Sequence, residues 1–343
     1  MTSKERIDAV LNHQKPDRTP FALVDGGAWI AMNENMSYQD LYSLPDGGAS
    51  KIVEYTNEIE TDLVSAVSGV FTACLNAVGC PINLTRIGSP VDTGAALEDP
   101  EEEIPLLDKS KIREQLLAND FVQKMLNQCR NVKKLVGDEK YLIGDIAGPF
   151  TMAAVMVGTE DFVVMLLDDP DLCWQLMDYT TAVSAEMFHL LHEAGCDIAL
   201  PAEPVGSGSM ISPDMFEEFT VPALANLRKE LSEYKYFFTH VCGDSVSRVP
   251  GLIKAGTVAF SGDYYVDLDE ALTAADGKLV MMGNMNPAGV IATGTPEEVY
   301  QEACERIQQA AGRGLILATG CDLAATAPME NVKMAIKACK DMG

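Results

Sequence analysis

Apolar positions along this chain follow two alternating rhythms. Short, β-rich apolar runs, each ending in a polar residue or a Gly-containing turn, recur eight times. They are separated by stretches whose apolar residues fall at helical spacing. In order, the runs are FALVD ending at Asp25, DLVSAV from Asp62, YLIGDIAG carrying Asp145 and CDIALPAEP carrying Glu203. They continue with YFFTHVCGD from Tyr236, VAFSGD to Asp263, LVMMGN to Asn284 and LILATGC to Cys321. Strands that alternate with helices pair in parallel, and eight of them imply closure into a barrel. The expected fold is therefore α/β, a (β/α)8 TIM barrel. The length of 343 residues suits one such barrel of ~250 residues with insertions. With no linker dividing the chain, residues 1–343 are expected to form a single domain.

End signals place several helices. Thr2 and Glu5 form a capping box ahead of Ile7, Val10 and Leu11, and Pro16 stops the pattern, so residues 1–19 read as an N-terminal helical segment. Thr295 and Glu298 form a second box with Pro296 at the first helical position; Val299, Ala303 and Ile307 continue the stripe until Gly312 and Gly314. Ser212 and Pro213 open another helix. Residues 74–107, with turn signals and the acids Asp99, Glu101, Glu102 and Glu103, fit no simple βα unit. They read as an insertion or lid after the second strand.

Composition narrows the function. The chain is 47% hydrophobic and 22% charged, enough apolar material for a large core. Its net charge of -26 repels phosphate backbones and anionic membrane surfaces, which disfavours nucleic acid and lipid partners. Nine dispersed cysteines, an odd number, suit reduced thiols and a cytoplasmic location. The N-terminal segment reads as a surface helix and not a signal peptide, and no apolar run is long enough to span a membrane.

Barrel enzymes carry their chemistry at the carboxyl ends of the strands. Two metal-ligand residue types meet there: His240 and Cys242, two apart on a strand, point to one side, and Cys321 ends the last strand in ATGCD. Two sulfurs and one nitrogen suit Zn2+, and three protein ligands leave an exchangeable fourth position, the arrangement of a catalytic site. Glu203, at the end of the neighbouring strand, is the candidate for a displaceable fourth ligand or a nearby base. Asp25, Asp145 and Asp263 stand where substrate contacts would be, Asp145 as a catalytic candidate, although strand-end acids also cap the helices that follow. Taken singly, a strand-end Cys is a small buried hydrophobe and a lone His a hydrogen-bonded core residue. It is their joint placement, in a chain with only four histidines, that favours metal. Cys74, Cys80, Cys129, Cys173, Cys196, Cys304 and Cys339 gain no such support. His189 and His192 precede a Gly turn, where a capping or dipole role suffices.

From Glu203 onward the motifs EPVGS, ISPDMFEEFTVP, HVCGD, GNMNP (283–287), GTPEEV and ATGCDLAATAPMENV (318–332), with the opening RIDAVLNHQKPDRTPFALV, resemble the uroporphyrinogen decarboxylase superfamily. Within it the likeness is to the corrinoid-dependent methyltransferases, of the methylcobamide:coenzyme M methyltransferase kind. Their His-x-Cys followed at long range by a Cys falls here on His240, Cys242 and Cys321. The resemblance implies zinc-dependent transfer of a methyl group between a methyl-corrinoid and a thiol. Asn284 of GNMNP and Asp263 are then expected as cofactor contacts. The corrinoid itself is expected on a partner protein, because no His here sits in the Asp-x-His-x-x-Gly context that captures the cofactor. The other partner is a small-molecule thiol or methylated substrate. Alternatives are a demethylating methyltransferase that loads a corrinoid protein from a methoxylated or methylated small molecule, and a non-catalytic, zinc-stabilised binding barrel. A uroporphyrinogen decarboxylase-like activity is a further alternative, but that branch expects an arginine-rich segment soon after the first Pro. Here that region reads FALVDGGAW.

Overall fold

The computed structural model describes residues 1–66, 70–84 and 89–343. Val67, the last residue of the second predicted run, and residues 85–88 of the 74–107 segment lie outside the described residues. The strands are β1 (Phe21–Ala22), β2 (Leu63–Ser65), β3 (Ile82–Asn83), β4 (Val91–Asp92), β5 (Tyr141–Ala147), β6 (Ile198–Ala202), β7 (Tyr236–Val241), β8 (Ala259–Gly262), β9 (Val280–Met285) and β10 (Leu315–Thr319). Each of the eight predicted runs supplies one strand of an eight-stranded parallel sheet in the order β1-β10-β9-β8-β7-β6-β5-β2. Between its two ends the barrel closes through one residue. Asp62 donates its backbone N–H to the Phe21 carbonyl at 2.7 Å, and its carboxylate accepts from the Phe21 N–H at 2.9 Å.

The period of two along each strand sorts the core into two clusters. Ile143, Ile198, Leu200, Phe238, Ala259, Val280, Met282, Ile316 and Ala318 fill the barrel interior, and Ile7, Val10 and Leu11 of the helix Ser3–Leu11 join them. The alternate positions, Phe237, Phe260, Met281 and Leu317 among them, pack outward against the helices. The same parity, carried toward the carboxyl ends, turns Asp145, His240 and Ser261 inward, because each lies two residues beyond an interior apolar residue. Register then makes neighbours of Ala202 and His240, and of His240 and Ser261.

The predicted capping boxes are present at Thr2/Glu5 and Thr295/Glu298, and Ser212 caps the helix that starts at Pro213. In the 74–107 segment, β3 and β4 form an antiparallel hairpin with Ile82 opposite Asp92. Thr72, on the preceding helix Val70–Ala77, donates its hydroxyl to the Pro90 carbonyl at 3.0 Å. Among the described residues no single helix is long and apolar enough to cross a membrane. All nine cysteines are free thiols.

Candidate metal centre

At the carboxyl ends of β7 and β10, one ligand atom each from His240, Cys242 and Cys321 lies within 4.8 Å of the other two. Nε2 of His240 is 3.0 Å from the Cys242 sulfur. The other ring nitrogen, Nδ1, is 3.0 Å from the Ser261 hydroxyl, which is fully buried at the end of β8. With Nδ1–H donating to Ser261 Oγ, the lone pair of Nε2 faces the two sulfurs, the tautomer that a metal-binding imidazole needs.

The electrostatics of the three groups fit a bound cation. Burial pulls the His240 imidazole down, but contact with Cys321 and the charges of Asp145 and Asp322 outweigh it and raise the group to about 9. The Cys321 thiol is pushed up, first by its hydrogen bond to Cys242 and then by burial. Without a cation the cluster therefore holds on to its protons. A divalent ion reverses that preference by stabilising thiolates and neutral imidazole, and a donor set of two sulfurs and one nitrogen suits zinc.

The triad opens onto a cavity of about 180 Å3 whose walls include Asp25, Phe71, Asp145, Pro204 and Asp322. Asp145 is brought to this cavity, as its parity predicts. Burial raises its carboxyl well above the ordinary carboxylate range, against the pull of His240, and its Oδ1 makes no hydrogen bond. Asp25 also reaches the wall. Its backbone is left-handed (φ 43°), and its Oδ1 accepts from the amides of Gly26 and Gly27.

Glu203, expected as a displaceable fourth ligand or a nearby base, is not brought into the cluster. Its fully buried carboxylate accepts from the backbone N–H of Phe150 at 3.1 Å and of Thr151 at 2.7 Å, the first turn of the helix Pro149–Val157. Gly148 makes room for it: a Cβ there would stand 2.3 Å from Glu203 Oε1. The capping alternative describes this geometry, and the free N–H groups of a helix start explain it. Only the Glu203 backbone touches the metal side, donating its N–H to the His240 carbonyl at 2.8 Å.

Asp263 and Asn284, expected as cofactor contacts, do not line the cavity either. Asp263 accepts from the Gly243 N–H at 3.0 Å, fixing the turn after Cys242. The Asn284 amide donates to the carbonyls of Asp263 (3.0 Å) and Val266 (2.7 Å), holding the loop after β8. His192 Nδ1 lies 3.2 Å from the carbonyl of Cys196, in the turn just after its helix, whereas His189 pairs with Glu233 at 2.6 Å.

Two residues escaped the sequence reading. Ser261 carries a signal in retrospect: it is a small polar residue at an interior position, on the strand beside the one that carries His240. Asp322 directly follows Cys321 and accepts from the Ser89 hydroxyl at 3.4 Å, a contact from the 74–107 segment that no local pattern shows.

Comparison with known proteins adds the family. The profile described as Uroporphyrinogen decarboxylase (URO-D) matches residues 2–342. Over 264 residues the chain is 27% identical to the methylated-thiol–coenzyme M methyltransferase of Methanosarcina mazei, covering 77% of this chain and 68% of that one. Over 347 residues it is 24% identical to the methylcobamide:CoM methyltransferase MtaA of Methanosarcina barkeri, covering 98% and 97%. The uroporphyrinogen decarboxylase of Trichlorobacter lovleyi is 23% identical over 333 residues, covering 93% of each chain. A solved methyltransferase structure from Methanosarcina mazei superposes with a TM-score of 0.89 at 22% identity, over 100% of this chain and 99% of the other, a likeness of fold.

Proposed function

Since the chain belongs to the uroporphyrinogen decarboxylase (URO-D) family, we propose that it is a corrinoid-dependent methyltransferase. In this reading it holds one zinc through His240, Cys242 and Cys321 and moves a methyl group from a methyl-corrinoid protein to a thiol acceptor. The convergence of the three donor atoms within 4.8 Å at the barrel mouth carries the reading. The relatives named as CoM methyltransferases support it. Against the decarboxylase alternative stands the cavity wall, which among its described residues presents carboxylates and no Arg or Lys. Such a wall offers no guanidinium or ammonium group to hold a polycarboxylate.

A free thiol, with a pKa near ~8.5, is mostly protonated at neutral pH and a weak nucleophile. Zinc, when bound, would hold the acceptor sulfur as a thiolate and fix it at the cavity floor. The chain's own residues prepare that event. Ser261 locks the imidazole so that Nε2 points at the site, and the thiolates of Cys242 and Cys321 complete the set while leaving a position for the acceptor. The cavity wall aligns the acceptor for in-line attack on the methyl carbon. The Glu203 side chain is committed to the helix Pro149–Val157 and takes no part. The corrinoid enters on a partner protein, and the fold presents the site to it at the barrel mouth. The reverse transfer, from a methylated thiol to the corrinoid, uses the same residues, and the first relative above bears a name of that kind.

The test is methyl transfer from free methylcobalamin to small thiols, followed by the visible spectrum of the corrinoid and by mass detection of the thioether. Zinc-replete protein is expected to accelerate the reaction, and chelator-treated protein to lose that acceleration until zinc is restored. A zinc-replete protein that accelerates transfer to no thiol overturns the proposal.

A further inference from the structure

Apart from His240, every ionisable side chain other than a thiol on the described walls of the cavity beside the metal triad is a carboxyl. These walls carry three carboxyl groups, Asp25, Asp145 and Asp322, one aromatic ring, Phe71, and neither Lys nor Arg. Asp145 stands on β5, apart from the strands that carry the ligands, and its Oδ1 is buried with no hydrogen bond. A buried acceptor without a donor is costly, and native proteins rarely keep one unless a ligand or water completes it. An anionic substituent cannot supply that donor, whereas the N–H groups of an ammonium can. The Phe71 ring lies on the same wall, and an aromatic ring is a suitable neighbour for such a cation. The whole molecule, at a net charge of -26, draws a cation inward and repels an anion.

We propose that the methyl acceptor is a small aminothiol, its sulfur directed to the triad and its positively charged amine anchored by Asp145, with Asp322 and Phe71 completing the pocket. This rests on the methyl-transfer reading above and makes Asp145 the residue that sets acceptor specificity. The cavity of about 180 Å3 has room for a two-carbon thiol.

Cobalt(II)-substituted protein tests it, because thiolate binding to cobalt is read directly by absorbance, without turnover. The probes are 2-aminoethanethiol, 2-mercaptoethanol and 2-mercaptoethanesulfonate, equal in carbon chain and different in charge. The wild-type protein and Asp145→Asn are each titrated with all three after metal analysis has verified equal cobalt content. Differences in intrinsic thiol acidity cancel when the ratio of dissociation constants is compared between the two proteins. The expected result is that the preference for the aminothiol over the sulfonate falls by about tenfold or more in Asp145→Asn. Should that variant fail to fold, Asp322→Asn is expected to change the ratio in the same direction. An unchanged ratio, or tighter binding of the sulfonate by the wild-type protein, overturns the proposal. If no thiol alters the spectrum of cobalt-loaded protein, the thiol-acceptor reading fails, and this inference falls with it.

Discussion

Ser261 shows how much of the site depends on a hydroxyl that binds no metal. It holds the His240 ring by Nδ1 so that Nε2 faces the sulfurs, and such partners of ligating histidines typically contribute 10- to 100-fold to metal affinity. Ser261→Ala is therefore expected to weaken zinc binding by about that factor in a competition titration with a chromophoric chelator, with the fold intact. Cys242→Ala and Cys321→Ala should each abolish stoichiometric zinc, whereas Cys129→Ala, buried far along the chain in the helix Asp120–Val136, should not. Glu203 makes a different prediction. Burial raises its carboxyl from 4.5 to about 7, so the folded protein keeps a proton that the unfolded chain releases. The resulting stabilisation is complete below the unfolded value and is lost as pH rises through about 7. At about 1.4 kcal/mol per pH unit of displacement it is on the order of 3 kcal/mol. Glu203→Gln removes this pH dependence and costs ~1 kcal/mol as a weakened helix cap. In denaturant melts the variant should be less stable than wild type at pH 5 and should draw level with or pass it by pH 8, with zinc content equal throughout. A gap that stays constant across that range contradicts the assignment. The sequence made the triad legible because three residues of two metal-binding types stood at strand ends, where parity fixes their direction. Glu203 was misread because a strand-end carboxylate looks the same whether it faces the cavity or the next helix. Only the backbone amides of Phe150 and Thr151, over fifty positions away, distinguish the two.

At the level of elements, the barrel seam is the most exacting contact. β1 contributes two residues and β2 three, too few for a ladder to hold by itself, and Asp62 stitches them from both its backbone and its side chain. Its fully buried carboxylate also takes Arg6 at 2.6 Å and Arg18 at 2.8 Å, so the N-terminal segment is tied to the seam. Asp62→Ala would remove a buried acceptor from the Phe21 amide and from two guanidinium groups, of which Arg6 would keep Asp17 and Arg18 the Thr19 carbonyl. Breaking a buried pair of this kind costs about 3–5 kcal/mol, and the expected outcome is a correspondingly lower unfolding free energy in urea with zinc stoichiometry unchanged in the fraction that folds. Wild-type stability in this variant would contradict the role given to the seam. All eight barrel strands were visible in advance because their apolar runs are buried on both faces and contrast sharply with the flanking turns. The β3–β4 hairpin was not: its strands are two residues long and largely exposed, and no alternation can show in so short a span.

For the molecule as a whole, stability and metal are separable. Two apolar clusters, one inside the barrel and one between strands and helices, hold the fold independently of the triad. Chelation should therefore leave the far-ultraviolet circular dichroism unchanged and lower the melting temperature only by the linkage due to lost binding. Collapse of the fold on chelation would favour a zinc that merely stiffens the barrel. The central claim is that His240, Cys242 and Cys321 hold a zinc whose remaining position accepts a thiol, and X-ray absorption at the zinc edge measures that coordination directly. The account predicts two sulfur neighbours and two nitrogen or oxygen neighbours in the purified protein, and three sulfurs after addition of 2-aminoethanethiol. A zinc that keeps two sulfur neighbours at saturating thiol, or a protein purified from zinc-containing medium without zinc, would contradict it.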